Sequence, residues 1–230
     1  MNKKIEQENY TQLENIALSQ GAALFGVADF KKYKACVSPE IEPLLEKFPY
    51  AISIGVELSC AVLDTISGGP TLIYSWHYRQ INTLLDHIAL NLSRFIQSQN
   101  YLSLPIAASQ VVDWKQQKAH ISHKHLAVSA GLGYIGRNNL LVNEKYGAGL
   151  RLVSILTNIP LIVDKPKKYD CADCHRCVAV CPVGAIKEKP EDFEHMLCYE
   201  KLKEFSKRAG VKYCICGICI KACRGKANSV

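Results

Sequence analysis

No stretch of this chain approaches the roughly 18 uninterrupted apolar residues of a membrane span, so no membrane partner is expected. The opening Met1-Asn2-Lys3-Lys4-Ile5-Glu6 has neither an apolar signal core nor a twin-arginine pair, which points to the cytoplasm. A dense Lys/Arg block with interleaved aromatics is also missing, although the net charge is +7. Cysteine is scarce before residue 171, where only Cys36 and Cys60 occur, and both read as ordinary buried or loop residues. The other nine cysteines lie within the 53 residues from Cys171 to Cys223. That crowding disfavours a disulfide framework and favours metal or cluster binding, for which reducing surroundings keep thiolates available.

The crowded segment has an ordered spacing. Cys171-x2-Cys174-x2-Cys177-x3-Cys181-Pro182 has the ferredoxin spacing, in which three thiolates hold one four-iron cluster and the fourth reaches a second. Cys216-x2-Cys219-x3-Cys223 answers it, with Arg224 where a proline is common. A first cluster would take Cys171, Cys174, Cys177 and Cys223, and a second Cys181, Cys216, Cys219 and one more. Cys198 and Cys214 are the candidates for that eighth ligand. Cys214 lies only two residues before Cys216, whereas Cys198 follows Cys181 by 17 on an expected helix and is preferred. Zinc, or one cluster, is the alternative. The string Cys171-Ala172-Asp173-Cys174-His175 also matches a c-type haem site, which the continuing cysteines disfavour.

Upstream, apolar residues at Ile5, Leu13, Ile16, Ala17 and Leu18 predict a helix ending at Gly21. Strands are expected over 22–28, 50–58, 104–108, 111–112, 140–142 and 150–156. Leu84, Leu85, Ile88, Leu92, Phe95 and Ile96 mark a long helix within 72–99, and further helices are expected over 119–130 and 191–209. Alternating strands and helices predict an α/β (α+β) domain over 1–165, and the charged, Pro166-containing linker begins a cysteine module over 166–230.

Between these lies Gly131-Leu132-Gly133-Tyr134-Ile135-Gly136-Arg137-Asn138. Its glycines would let backbone approach a bulky ligand. The lysine-serine ending of a phosphate loop is absent, and the motif follows a helix instead of opening one. A structural turn is the competing reading.

AGLGYIGRNNLLVNEKYGAGLRLVSILTNIPL followed by CADCHRCVAVCPVGAI resembles the core of the epoxyqueuosine reductase family and, more distantly, the reductive dehalogenases. The likeness is strongest over 126–223 and extends weakly to GAALFGVADF and YAISIGVEL. It implies a nitroreductase-like, cobalamin-binding domain followed by a ferredoxin-like module with two [4Fe-4S] clusters that feed electrons to cobalt. Residues Gly131 to Asn138 would then contact the corrinoid, and Cys198 would be the eighth cluster ligand. FMN in the same domain is the alternative cofactor.

The chain also departs from the family pattern. The acidic proton donor expected 13 residues before Ala130 falls on Gln117, and Asp113 is the nearest acid. Tyr78 and His123 are the other donor candidates, with His120, His125 and Tyr134 behind them. The C-terminal helical repeats of the family are missing, since the sequence runs only seven residues past Cys223. These departures argue against tRNA as a partner. They favour a small-molecule or corrinoid-protein substrate and a low-potential donor such as ferredoxin or flavodoxin. An electron-transfer protein without substrate chemistry is the alternative function.

Overall fold

The computed structural model describes residues 3–33 and 37–225, so the reading of Cys36 lies outside the described residues. In chain order its helices are α1 (Lys3–Ser19), α2 (Cys60–Asp64), α3 (Leu72–Ser98), α4 (His123–Ser129), α5 (Arg176–Val180), α6 (His195–Ser206) and α7 (Ile218–Ala222). The strands are β1 (Leu24–Asp29), β2 (Tyr50–Glu57), β3 (Ser103–Ile106), β4 (Tyr134–Ile135), β5 (Leu141–Val142) and β6 (Leu150–Thr157). The chain forms two compact units that interleave in sequence. The first takes residues up to Val56, Asn82–Leu132 and Arg151–Lys167; the second takes Glu57–Ile81, Gly133–Leu150 and the chain from Lys168 onward.

The first unit is built on a four-stranded sheet of order β1-β2-β6-β3. β1 pairs antiparallel with β2, from Leu24 opposite Gly55 to Asp29 opposite Tyr50, and β3 pairs antiparallel with β6. Consecutive residues of β2 from Ala51 to Val56 are all buried. Such runs, without apolar-polar alternation, belong to strands covered on both faces. α1 and α4 pack on β1. β3 lies at the sheet edge, the position that tolerates Pro105. Within α3, the buried residues Leu85, Ile88, Ala89, Leu92 and Ile96 recur at steps of one, three and four, forming a single helix stripe. Asp164 pins the end of this unit: its Oδ2 accepts from the Val27 backbone N–H at 2.8 Å and from the Tyr10 hydroxyl at 3.0 Å.

Two local expectations differ from the structure. The helix expected over 119–130 begins only at His123, because the His120 carbonyl accepts from the Ser38 N–H at 2.9 Å. The strand expected at Val111-Val112 instead enters a tight hairpin, with the Val112 N–H bonded to the Lys118 carbonyl at 2.9 Å.

The second unit has its own apolar cluster of Leu58, Leu63, Ile66, Tyr74, Val211 and Ile215. This gives the physical reason why the chain does not divide linearly near residue 165. Residues 57–81 bury their apolar side chains with those of 211–215 instead of joining the sheet. Among the described residues, no helix is long and apolar enough to cross a membrane.

Candidate functional site

The glycine-rich stretch is split between two tasks. Gly131 and Leu132 terminate α4: the Gly131 N–H donates to the Val128 carbonyl at 3.0 Å, and the Leu132 N–H to the Ala127 carbonyl at 2.9 Å. That pair is a Schellman cap, and Gly131 sits at φ +72°, the left-handed conformation the cap requires. A Cβ there would also lie 2.7 Å from the Lys165 carbonyl oxygen.

Residues from Gly133 onward belong to the second unit, where β4 and β5 form a short antiparallel hairpin. A Cβ on Gly136 would lie 2.5 Å from Val142 Cγ2 and 3.4 Å from Cys171 Sγ. The close approach allowed by this glycine is therefore taken up by the cysteine loop. Next in the chain, Arg137 spans that loop. Its Nη1 donates to the Cys174 carbonyl at 3.1 Å, and its Nη2 donates to the Ala172 carbonyl at 2.9 Å and to Glu188 Oε1 at 3.0 Å. Glu188 also bonds His175 Nε2 at 2.8 Å, while His175 Nδ1 lies 2.9 Å from the Asp173 carbonyl. Glu188 is thus held below the usual carboxylate range by His175 and then Arg137. Two buried N–H groups in the stretch have no hydrogen-bond partner among the described residues: Arg137 Nε and Asn138 Nδ2. Asn138 is 3% exposed, and its Oδ1 accepts from the Leu140 N–H at 3.3 Å.

The cysteines surround this clamp. Cys174 N–H bonds the Cys171 carbonyl at 2.9 Å, and α5 carries Cys177 into the interior. Burial, followed by repulsion from Cys171 and Cys174, raises the Cys177 pKa. Burial also pushes Cys223 up to about 11, opposed by a bond from Ala148 N–H and reinforced by Cys177, Cys171 and Cys174. Tyr134 is raised by burial, then by Cys171 and Cys223. Cys181, Cys198, Cys216 and Cys219 lie in the same unit. Burial pushes Cys198 up to about 11, with Cys216 and Cys181 adding to it. Cys219 is raised by burial and then by Cys216, Cys198, Cys177 and Cys181. Cys219 thus also feels Cys177 of the first motif. Cys214 is half-buried and adds to the raised pKa of Lys203, for which Glu200 is the first cause. Among the described residues, no three His, Cys, Asp or Glu side chains close around a single metal ion.

The proton-donor candidates do not share one neighbourhood. In the second unit, Tyr78 is half-buried against the apolar cluster, with its ring centroid 5.3 Å from that of Tyr213. The other two belong to the first unit. His123 Nε2 lies 3.1 Å from the Ala107 carbonyl and Nδ1 2.9 Å from Ser154 Oγ. A carbonyl only accepts, so Nε2 carries the proton and Nδ1 accepts from the serine. Burial lowers this histidine to about 4. Asp113 heads the 112–118 hairpin, its Oδ1 accepting from Lys115 N–H at 2.8 Å and Gln116 N–H at 3.0 Å. His120 is engaged by Ser38, and His125 is lowered by burial and then by Lys124. Cys60 opens α2, half-buried.

Sequence reasoning did not find the clamp. Arg137 was expected at a corrinoid, His175 figured only in a haem-like string, and Glu188 carried no signal, because its pairing with Arg137 spans 51 residues.

A mixed α/β sheet unit joined in one chain to a thiol-rich unit defines the class. No family model matches the chain. It is 43% identical over 61 residues to an epoxyqueuosine reductase of Lactococcus garvieae, covering 26% of this chain and 17% of that protein. It is 30% identical over 110 residues to the tetrachloroethene reductive dehalogenase of Sulfurospirillum multivorans, covering 42% of this chain and 22% of that one. The chain thus spans less than a quarter of these curated relatives. Its fold matches a reductive dehalogenase structure that suggests a mechanism for B12-dependent dehalogenation (TM-score 0.66, 20% identity, 80% of this chain, 26% of that one). It also matches an epoxyqueuosine reductase crystallised with an epoxyqueuosine-modified tRNA stem loop (TM-score 0.60, 20% identity, 84% and 56%). The chain is related to the epoxyqueuosine reductases and, beyond them, to the reductive dehalogenases. The expectation that argued against tRNA is corrected by these relatives, one of which holds a tRNA stem loop. That expectation had rested on missing family features and on where the sequence stops, and neither bears on what the remaining surface can bind.

Proposed function

We propose that the chain is a corrinoid-dependent iron–sulfur reductase working in a reducing cytoplasm. The observation that carries this reading is that the seven cysteines of the two spaced motifs, together with Cys198, fall in one compact unit. Cys171, Cys174, Cys177 and Cys223 would hold one [4Fe-4S] cluster, in a ferredoxin-like module; Cys181, Cys198, Cys216 and Cys219 would hold the other. The mutual repulsion of the buried thiols supports this division, since thiolates crowded together need a cationic core. The unpartnered N–H groups of Arg137, which feels Cys171, and of the adjacent Asn138 fit a sulfur-rich anion as their acceptor.

The corrinoid would sit in the nitroreductase-like first unit. The support for it is the likeness to a B12-dependent dehalogenase, together with the need for an acceptor of low-potential electrons. When bound, cobalamin supplies a strongly nucleophilic reduced cobalt, while the protein binds, orients and protonates. Asp113 is the residue we assign to protonation. Its hairpin presents a carboxylate, whereas both ring nitrogens of His123 are engaged within the protein. The substrate class is a modified nucleoside in tRNA, as the names of the relatives suggest, and a net charge of +7 suits a polyanion.

Anaerobic reconstitution with iron and sulfide, followed by titration with cob(II)alamin, tests the reading. Two four-iron clusters per chain and micromolar corrinoid binding are expected. Clusters without corrinoid binding would move the protein to an electron-transfer role, and zinc in place of clusters would end the proposal. Salt-dependent binding of an epoxyqueuosine-containing tRNA stem loop tests the substrate class.

A further inference from the structure

We propose that Arg137 and Asn138 are positioning residues that set the reduction potential of the cluster held by Cys171, Cys174, Cys177 and Cys223, through their buried N–H groups. This rests on the cluster reading above and goes beyond it by assigning a role to residues that are not ligands.

The argument begins with hydrogen-bond accounting. A buried N–H without an acceptor costs about 1–3 kcal/mol. Two occur on adjacent residues, Arg137 Nε and Asn138 Nδ2. Neither is a surface group. The Arg137 side chain is 11% exposed, and Asn138 is 3% exposed as a residue. Arg137's remaining nitrogens are fixed by two carbonyls of the cysteine loop, those of Ala172 and Cys174. Its guanidinium therefore cannot swing to another acceptor without releasing that loop. Gly136 brings the preceding backbone so near that its missing Cβ would lie 3.4 Å from Cys171 Sγ. The same Cβ position lies 3.1 Å from Asn138 Oδ1, and the Arg137 guanidinium also feels Cys171, so two unpartnered donors next to this sulfur suit an acceptor supplied with the cluster.

The consequence is electrostatic. One-electron reduction makes the cluster more negative, with no proton moved and no bond exchanged. Hydrogen bonds to the sulfurs and a neighbouring cation stabilise that reduced form and raise the potential. Glu188 lies 3.0 Å from Arg137 Nη2 and offsets part of its charge, so it should act in the opposite direction.

Reductive titrations of the reconstituted full chain, followed by electron paramagnetic resonance, decide the matter. Arg137→Gln and Asn138→Leu should each weaken one cluster's hold on its electron about tenfold, a fall of about 59 mV for a one-electron couple. Glu188→Gln should raise the same potential by a smaller factor, because that carboxylate is solvent-facing. The shift should persist in a Cys198→Ala background, where only the first set of four thiols is whole. Opposite signs for Arg137→Gln and Glu188→Gln would not come from general loosening. If Arg137→Gln loses iron, Asn138→Leu alone still decides. Unmoved potentials at full iron content overturn the inference and leave the cluster reading standing. A wild-type chain that takes up no four-iron cluster overturns both.

Discussion

Lowering the pH from 7 to 5 should cost the first unit about 2 kcal/mol through His123 alone, a figure that follows from the difference between its folded and unfolded affinities for a proton. In the unfolded chain histidine titrates at about 6.5. In the fold it is lowered to about 4 by burial, with Arg151 adding repulsion and the Ala107 carbonyl partly opposing both. Between those values the unfolded chain takes up a proton that the folded chain refuses. Stability is therefore fully present above pH 6.5 and is lost as the pH falls toward 4. At pH 5 nearly every unfolded chain carries the proton and few folded ones do, which shifts the equilibrium roughly 25-fold relative to pH 7. By pH 4 the loss reaches about 3 kcal/mol. The assay pairs two measurements on the full chain: histidine Cε1–H chemical shifts across pH, and urea unfolding at pH 7 and 5. His123→Gln should reduce the pH-dependent loss by about 2 kcal/mol. A His123 resonance with a midpoint near 6.5, or equal pH dependence in wild type and variant, would refute the reasoning. The same neutrality removes His123 from the pH profile of turnover between pH 5 and 8.

Cys198→Ala should halve the iron of the reconstituted chain, whereas Cys214→Ala should leave it unchanged; iron and sulfide assays distinguish them. Asp113→Asn should keep the hairpin, since an amide oxygen still accepts from the Lys115 and Gln116 N–H groups, while lowering kcat by about 10²–10⁴-fold if the carboxylate delivers the proton. Single-turnover kinetics alongside thermal melts would separate those two effects. Gly136→Ala places a methyl against Val142 and Cys171 and should destabilise the second unit by about 1–3 kcal/mol, read as a lower melting temperature and faster loss of iron.

What could be read in advance followed local spacing. The α3 stripe, the buried β2 run and the two cysteine motifs each declare themselves within about a dozen residues, because periodicity and ligand steps are short-range properties. Cys198 was preferred over Cys214 on spacing alone, since Cys214 lies only two residues before Cys216. The glycine-rich stretch was harder. Glycine reports that something comes close, not what does. Here the neighbours are the Lys165 carbonyl, Val142 and Cys171, all distant from it in sequence or set by a hairpin register. The Arg137 clamp was invisible for the same reason: two of its acceptors are backbone carbonyls, which leave no trace in side-chain identity, and the third, Glu188, lies 51 residues away. The expectation about tRNA failed because it was drawn from absences.

The interleaving of the two units sets a timetable for synthesis. Leu63, Ile66 and Tyr74 leave the ribosome more than 130 residues before Val211 and Ile215, the partners that cover them. At about 5–20 residues per second, those side chains wait roughly 7–30 s without their core. The sheet has its own delay, because β6, the strand between β2 and β3, is made last of its four. The first unit is complete in sequence only at Lys167, and the second cannot finish until its C-terminal segment is made. Slowed translation should therefore lower the yield of this protein more than that of one whose domains follow one another in line.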